Sequence, residues 1–235
     1  MAYKLLKAFE SLFVGVPYLH RNSTQGDYVA SFLVDDLYAL GRSPKLNAEV
    51  DTQDLVLNMA NKTVGLQHRR GDGTFGIIVP GEPPTKSHAY TVSMGEVANI
   101  HLGAEVKILA KAMIKQLDRV GSDMENQAAE FRKHGNSPIC VGIVAVNYST
   151  AYTSFEGSRS FPTDGKKYKH PIQEAATAEA RLLSRVGSKF DELLCLRFAA
   201  SNVAPFAFSW LDPTVTMKQY GAALVRLSVL FDKRL

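Results

Sequence analysis

From Val97 onward the chain reads as strands and helices in alternation, and this constrains the fold more than any other feature. Val97 to Lys107 has the alternation of a strand, Leu109 to His134 is a long helix, and Pro138 to Asn147 is an apolar, buried strand. A second helix follows over His170 to Val186, a further strand over Leu193 to Ala199, and a closing helix over Thr214 to Lys233. Strands joined through helices of this length lie parallel or mixed in one sheet that the helices cover on both faces. The expected fold class is therefore α/β, with a central mixed β-sheet flanked by helices and an antiparallel extension.

That extension comes from the first third. Residues 25 to 40 place Val29, Phe32, Leu33, Leu37 and Leu40 at helical spacing, with Gly41 as a C-terminal stop, so one amphipathic helix is expected there. Short segments around Asp54 to Met59, Thr63 to Arg70 and Phe75 to Val79, separated by turn residues, read as antiparallel strands. Residues 80 to 88 read as a loop. No internal repeat or low-complexity tract interrupts the chain, and 235 residues, 46% of them hydrophobic, fit a single domain spanning 1–235.

Charge and cysteine usage narrow the setting. A balance of 27 Lys and Arg against 23 Asp and Glu gives +4, which allows a polyanionic partner without demanding one. Cys140 and Cys195 sit among apolar neighbours and read as small core residues in a reducing compartment. Lys7 and Glu10 interrupt the N-terminal apolar residues, so no signal-peptide core forms. The longest apolar run, Ile139 to Val146, is far short of the roughly 18 residues a membrane helix needs. The expectation is a soluble, cytoplasmic protein.

The chemistry centres on Val97 to Lys107. Its even positions, Ala98, Ile100, Leu102, Ala104 and Val106, are apolar, whereas its odd positions include Asn99, His101, Gly103, Glu105 and Lys107. A period of two puts the two sets on opposite faces. Glu105 and Lys107 then project together, roughly 7 Å apart along the strand, and His101 shares their face, close to substrate. A second acid-x-Lys triplet, Asp164-Gly-Lys166, falls in a stretch where Pro162 and Asp-Gly mark a turn, so the Glu105 copy is preferred. Asp72 lies 33 residues before Glu105, between two strand candidates, with Gly71 and Gly73 beside it and Arg69 and Arg70 preceding. Asp-Gly is also a common hairpin-turn dipeptide. The glycines permit close approach by a backbone or ligand, and the arginines favour an anion.

An acid on a hairpin, then acid-x-Lys on the next long strand, then a helix and a buried strand, resembles the PD-(D/E)xK nuclease superfamily, the restriction-endonuclease-like fold. The similarity covers residues 25 to 147. Asp72 matches the first acid, and Glu105 and Lys107 match the acid-x-Lys pair. The family's proline before the first acid is Gly71 here, and residues 80 to 96 form an inserted loop. The resemblance implies a Mg²⁺-dependent DNA endonuclease, with Mn²⁺ as a substitute, that hydrolyses phosphodiester bonds and leaves a 5′-phosphate. It also implies a role in restriction, defence or DNA repair, and a homodimer. Hard divalent cations prefer oxygen ligands, so Asp72, Glu105 and the Val106 carbonyl make a partial shell. Lys107 would orient the attacking water and lower its pKa, or neutralise developing charge. In the preceding helix Asp27 would add a ligand, while Asp35 reads as a cap or a solvent-exposed acid. Gln116 matches the glutamine that some superfamily members carry just after the acid-x-Lys pair.

Several basic stretches surround this set. Lys111, Lys115 and Arg119 fall at i, i+4 and i+8 of the following helix, either a solvated face or the lining of a phosphate channel. The segment Ser158 to His170 carries Arg159, Lys166, Lys167 and Lys169 with Phe161 and Tyr168 interleaved, which suits backbone neutralisation and base contact or a plain surface loop. His170 and Glu174 stand at metal-pair spacing, although Pro171 and Glu174 also suit a helix N-terminus. No Walker loop, Cys-x-x-Cys or Gly-x-Ser-x-Gly is present, so P-loop NTPase, zinc-ribbon and α/β-hydrolase chemistry lack support. Two other readings stay open: a non-catalytic nucleic-acid-binding module or inactive nuclease relative in a larger complex, and a small-molecule enzyme on an unrelated α/β sheet.

Overall fold

The computed structural model describes residues 3–20, 22, 24–58 and 71–235. Short helices α1 (Lys4–Ser11), α2 (Thr24–Ala30), α3 (Leu33–Leu40) and α4 (Pro44–Asp51) come first. Strands β1 (Leu55–Leu57), β2 (Gly73–Ile78) and β3 (Ser93–Met94) precede β4 (Val97–Leu109), helix α5 (Met113–His134) and β5 (Ile139–Asn147). A hairpin of β6 (Thr153–Glu156) and β7 (Arg159–Pro162) follows, then α6 (Ala175–Val186), β8 (Glu192–Ala200), β9 (Phe208–Trp210) and α7 (Pro213–Arg234).

Among the described residues, seven strands form one mixed sheet in the order β3-β1-β2-β4-β5-β8-β9. Strands β4, β5 and β8 are parallel, and the β1–β2–β4 and β8–β9 pairings are antiparallel. The chain therefore adopts the expected α/β class. Every residue of β5 is buried, because it has strands on both sides and helices on both faces. On one face Met113, Leu117, Val120, Met124 and Phe131 of α5 join Ala178 and Leu182 of α6 over Ile100, Cys140 and Val144. On the other, Leu5 and Phe9 of α1 and Tyr220, Leu224 and Phe231 of α7 cover Leu102, Ala104, Val141 and Leu196. Each large apolar side chain so buried contributes about 1.5–3 kcal/mol. Cys140 and Cys195 are free thiols on β5 and β8. Among the described residues no helix is long and apolar enough to cross a membrane.

Four local expectations are corrected. The helix expected over 25–40 is two, because Ser31 Oγ bonds back to the Asp27 carbonyl at 2.7 Å and Phe32 N–H closes a tight turn onto Val29. The break lets Asp36 accept from Lys4 N–H at 2.8 Å and Leu5 N–H at 3.0 Å, capping α1. Asp35 is buried, not exposed, and pairs with Lys4 Nζ at 2.7 Å. Strand β4 runs on to Leu109, so Lys111 lies in the turn before α5 and not on the helix. Part of the expected loop at 158–170 is strand β7. The segment Thr63 to Arg70, with His68, Arg69 and Arg70, lies outside the described residues.

A bulge relocates His101. Phe75 of β2 pairs with Leu102, but Gly76 pairs with Ile100, leaving His101 as an extra residue in β4. Its ring meets Phe231 of α7 edge-on at 5.9 Å, and its Nδ1 lies 3.2 Å from Glu49 Oε2. Gly103, in phase with Glu105, faces Phe131 of α5 on the opposite side. The extra residue changes the phase of the alternation, so His101 is not on the face of Glu105.

Phe131 also accounts for Gly71. A Cβ at Gly71 would stand 2.2 Å from Phe131 Cζ, and a Cβ at Gly103 2.5 Å from the ring. Gly71→Ala is expected to destabilise the protein by about 1–3 kcal/mol through overpacking, seen as a lower urea midpoint, and Phe131→Leu in that background to recover part of it. Equal midpoints for Gly71→Ala and wild type would contradict this packing.

Candidate functional site

The antiparallel register of β2 and β4 sets the geometry. Gly73 lies opposite Ala104, the last pair before the strands part, so Asp72 emerges one residue further, beside Glu105. There the edge of β4 has lost its neighbour, and Asp72 Oδ2 accepts the Val106 N–H at 2.7 Å. The N–H and C=O of one strand residue face the same side, so the Val106 carbonyl faces this gap too. Glu105 and Lys107 pair through Oε1 and Nζ, with the Glu105 side chain 5% and the Lys107 side chain 21% exposed. Helix α2 closes the site from a third direction. A Cβ at Gly26 would stand 2.6–2.7 Å from the Asp72 carboxyl atoms, so only glycine allows this approach.

Burial pushes the Asp72 carboxyl up to about 7, and the negative charge of Glu105 adds to that. Lys107 and the Val106 N–H pull the other way, and Asp27 is near enough for its charge to raise Asp72 further. Burial and the Glu105 charge thus disfavour the ionised form of Asp72, which a proton or a cation relieves. Among the described residues no three His, Cys, Asp or Glu side chains gather as a metal-binding group. Two carboxylates and a strand carbonyl, all oxygen, are nevertheless the kind of set that holds Mg²⁺ when water and phosphate supply the rest.

Around this pair opens a cleft of about 1260 Å³. Its floor is β4 from Glu105 to Ile108, one wall is the start of α5, and the other is the β6–β7 hairpin with residues 163–169. Lys115 and Arg119 line the α5 wall, and Lys167 and Lys169 the opposite one. Lys111 reaches from its turn to Ser154 Oγ on the hairpin, and burial lowers its pKa. Arg159 and Lys166 are not among the lining residues; the Arg159 guanidinium lies 5.8 Å from the Phe161 ring.

Other expected residues have structural roles. Gln116 lines the cleft, but its Nε2 donates to the carbonyls of Lys111 at 2.7 Å and Ala112 at 3.3 Å, holding a turn in which Ala112 takes φ 47°. His170 and Glu174 do not share a metal position. Glu174 Oε2 accepts the Met113 N–H at 2.8 Å and caps α5, whereas His170 Nδ1 lies 2.7 Å from Thr163 Oγ1. In the second acid-x-Lys triplet, Asp164 Oδ1 accepts from the N–H groups of Lys166 and Tyr168, both at 2.8 Å, and closes a turn.

Sequence reasoning missed Tyr18, His20, Gln25, Asp123 and Gln127, all of which line the cleft. Gln127 left a signal: it is a polar residue in the buried stripe Met113, Leu117, Val120, Met124 and Phe131 of α5. Asp123 on α5 and Gln25 on α2 are polar residues of periodic helices that nothing local sets apart, and Tyr18 and His20 come from an irregular segment. Comparison with known proteins finds no matching family model, no matching curated protein and no matching solved structure.

Proposed function

We propose that the chain is a Mg²⁺-dependent DNA endonuclease of restriction-endonuclease-like type, with Mn²⁺ able to substitute. The observation that carries this is the meeting of Asp72, from the end of β2, with Glu105 and Lys107 of β4 in a cleft walled by cations. Asp72, Glu105 and the Val106 carbonyl would hold the metal, which supplies a Lewis acid for the phosphoryl oxygen and a water of lowered pKa. The Lys107 ammonium stands beside Glu105 where it can orient that water or neutralise charge growing on the phosphate. Lys115 and Arg119 on one wall and Lys167 and Lys169 on the other suit neutralisation of the strand backbone.

A non-catalytic nucleic-acid-binding module is the second reading, and one observation favours it. The Lys107 ammonium already pairs with Glu105, an arrangement that balances that carboxylate without a cation. Circular DNA, single-stranded and supercoiled, incubated with Mg²⁺ separates the two. The endonuclease is expected to cut a circle only with metal, and Glu105→Ala and Lys107→Ala to cut at least about 100-fold more slowly. Binding without cutting by the wild type would favour the module, and neither binding nor cutting would leave a small-molecule enzyme.

A further inference from the structure

The hairpin wall carries a feature that phosphate binding does not require. Phe161 is 42% and Tyr168 56% exposed, and both line the cleft. Lys111 Nζ and the Arg159 guanidinium stand over the Phe161 ring at 6.0 Å and 5.8 Å from its centroid, and Lys167 Nζ over the Tyr168 ring at 5.4 Å. The backbone of this wall is anchored to the core. Thr153 N–H donates to the Ser201 carbonyl at 2.9 Å, Asn202 Nδ2 to the Thr153 carbonyl at 2.8 Å, and Thr163 N–H to the Tyr152 carbonyl at 2.8 Å. The Asp164 turn fixes Tyr168.

An exposed aromatic face gains most from an unpaired base, which takes the place of the cation over it and leaves that cation to its phosphate. A base-paired duplex presents only base edges in its grooves, whereas an unpaired base offers its face for stacking while the cations meet its phosphate. Size points the same way. About 1260 Å³ is little more than the roughly 300–1,000 Å³ of small-molecule sites, enough for a few nucleotides of one strand.

We propose that the cleft takes an unpaired DNA strand, with bases on Phe161 and Tyr168 and backbone along Lys115, Arg119, Lys167 and Lys169. The substrate of the site is then a single-stranded segment such as a flap or gap, not continuous duplex. This rests on the reading of Asp72, Glu105 and Lys107 as a phosphodiester hydrolase.

The test measures binding and cutting separately on the full chain. Fluorescence anisotropy in EDTA compares a labelled oligothymidylate with a blunt duplex of equal length at one salt concentration. The single strand is expected to bind at least about ten-fold tighter. Phe161→Ala and Tyr168→Ala should each weaken it about ten-fold, with duplex affinity unchanged and Phe161→Trp close to wild type. Equal or tighter duplex binding, or alanine variants that bind the single strand as wild type does, would overturn the proposal. Mg²⁺ is then added to the same DNAs. The expected binding pattern without any hydrolysis leaves the strand site standing and removes the hydrolase. Duplex cutting at an unchanged rate by Phe161→Ala keeps the hydrolase and removes the strand site.

Discussion

Replacing Asp72 by Asn is expected to stabilise the metal-free protein at pH 8 by about 2 kcal/mol and to abolish its response to Mg²⁺. The Asp72 carboxyl titrates at about 7 in the folded chain against an ordinary 3.8, chiefly because it is buried and next because it faces Glu105. Between those two values the folded protein keeps a proton that the unfolded chain has lost. Stability therefore falls as pH rises through that window, and the deficit is complete above about 7. Asn is neutral at every pH and its oxygen can still accept the Val106 N–H, though more weakly than a carboxylate does. For that reason the gain is set below what the whole shift would give at about 1.4 kcal/mol per pKa unit. Urea unfolding in EDTA checks the sign: the variant should be more stable at pH 8, with the difference vanishing near pH 4. A ligand that binds only the folded state at 100 times its Kd adds about 2.7 kcal/mol, and Mg²⁺ should do so for the wild type alone. A variant less stable than wild type at pH 8 would make Asp72 an ordinary structural acceptor.

Lys107→Met is expected to lower the cleavage rate by about 10²–10⁴-fold, with the opposite effect on stability. Methionine is close to lysine in length and is apolar, so the strand itself would be left largely intact. The pairing with Glu105 changes that expectation, since Glu105 is 4% exposed and loses its ammonium partner. Breaking a buried pair from one side costs about 3–5 kcal/mol. Adding Glu105→Gln to Lys107→Met should recover most of that stability and none of the activity. Because cation and ammonium compete for the same carboxylate, Mg²⁺ should raise the melting temperature of Lys107→Met more than that of the wild type. Wild-type turnover by Lys107→Met would remove this lysine from the reaction.

The parts of the fold that are legible in sequence are those whose pattern is long and local. Strands β4 and β8 and helices α5, α6 and α7 each repeat their period often enough to fix their type, and β5 is marked by its unbroken apolar run. Asp72, Glu105 and Lys107 come together because β2 and β4 pair antiparallel across the intervening residues 79–96. His101 was misplaced for a non-local reason. Gly76 of β2 sits so close to β4 that a Cβ would lie 2.1 Å from the Asn99 carbonyl oxygen. That bulged pairing depends on both strands at once: Gly76 marks a close approach in β2, but nothing in β4 says which residue is the extra one. Helix α4 did leave one, since Ser43 accepts the Leu46 N–H ahead of Pro44. The β6–β7 hairpin is too short for its alternation to stand out, although Gly157, at φ 59°, supplies its turn. The walls of the cleft are assembled from α2, α5, the hairpin and residues 163–169, so no single segment could announce them.

Crystals soaked in millimolar manganese, with anomalous diffraction recorded at the manganese edge, test the metal site most directly. One ion is expected between the carboxylates of Asp72 and Glu105 on the side of the Val106 carbonyl, with Lys107 turned from its carboxylate partner toward the cleft. An empty gap, with Lys107 still paired to Glu105, would contradict the proposed chemistry.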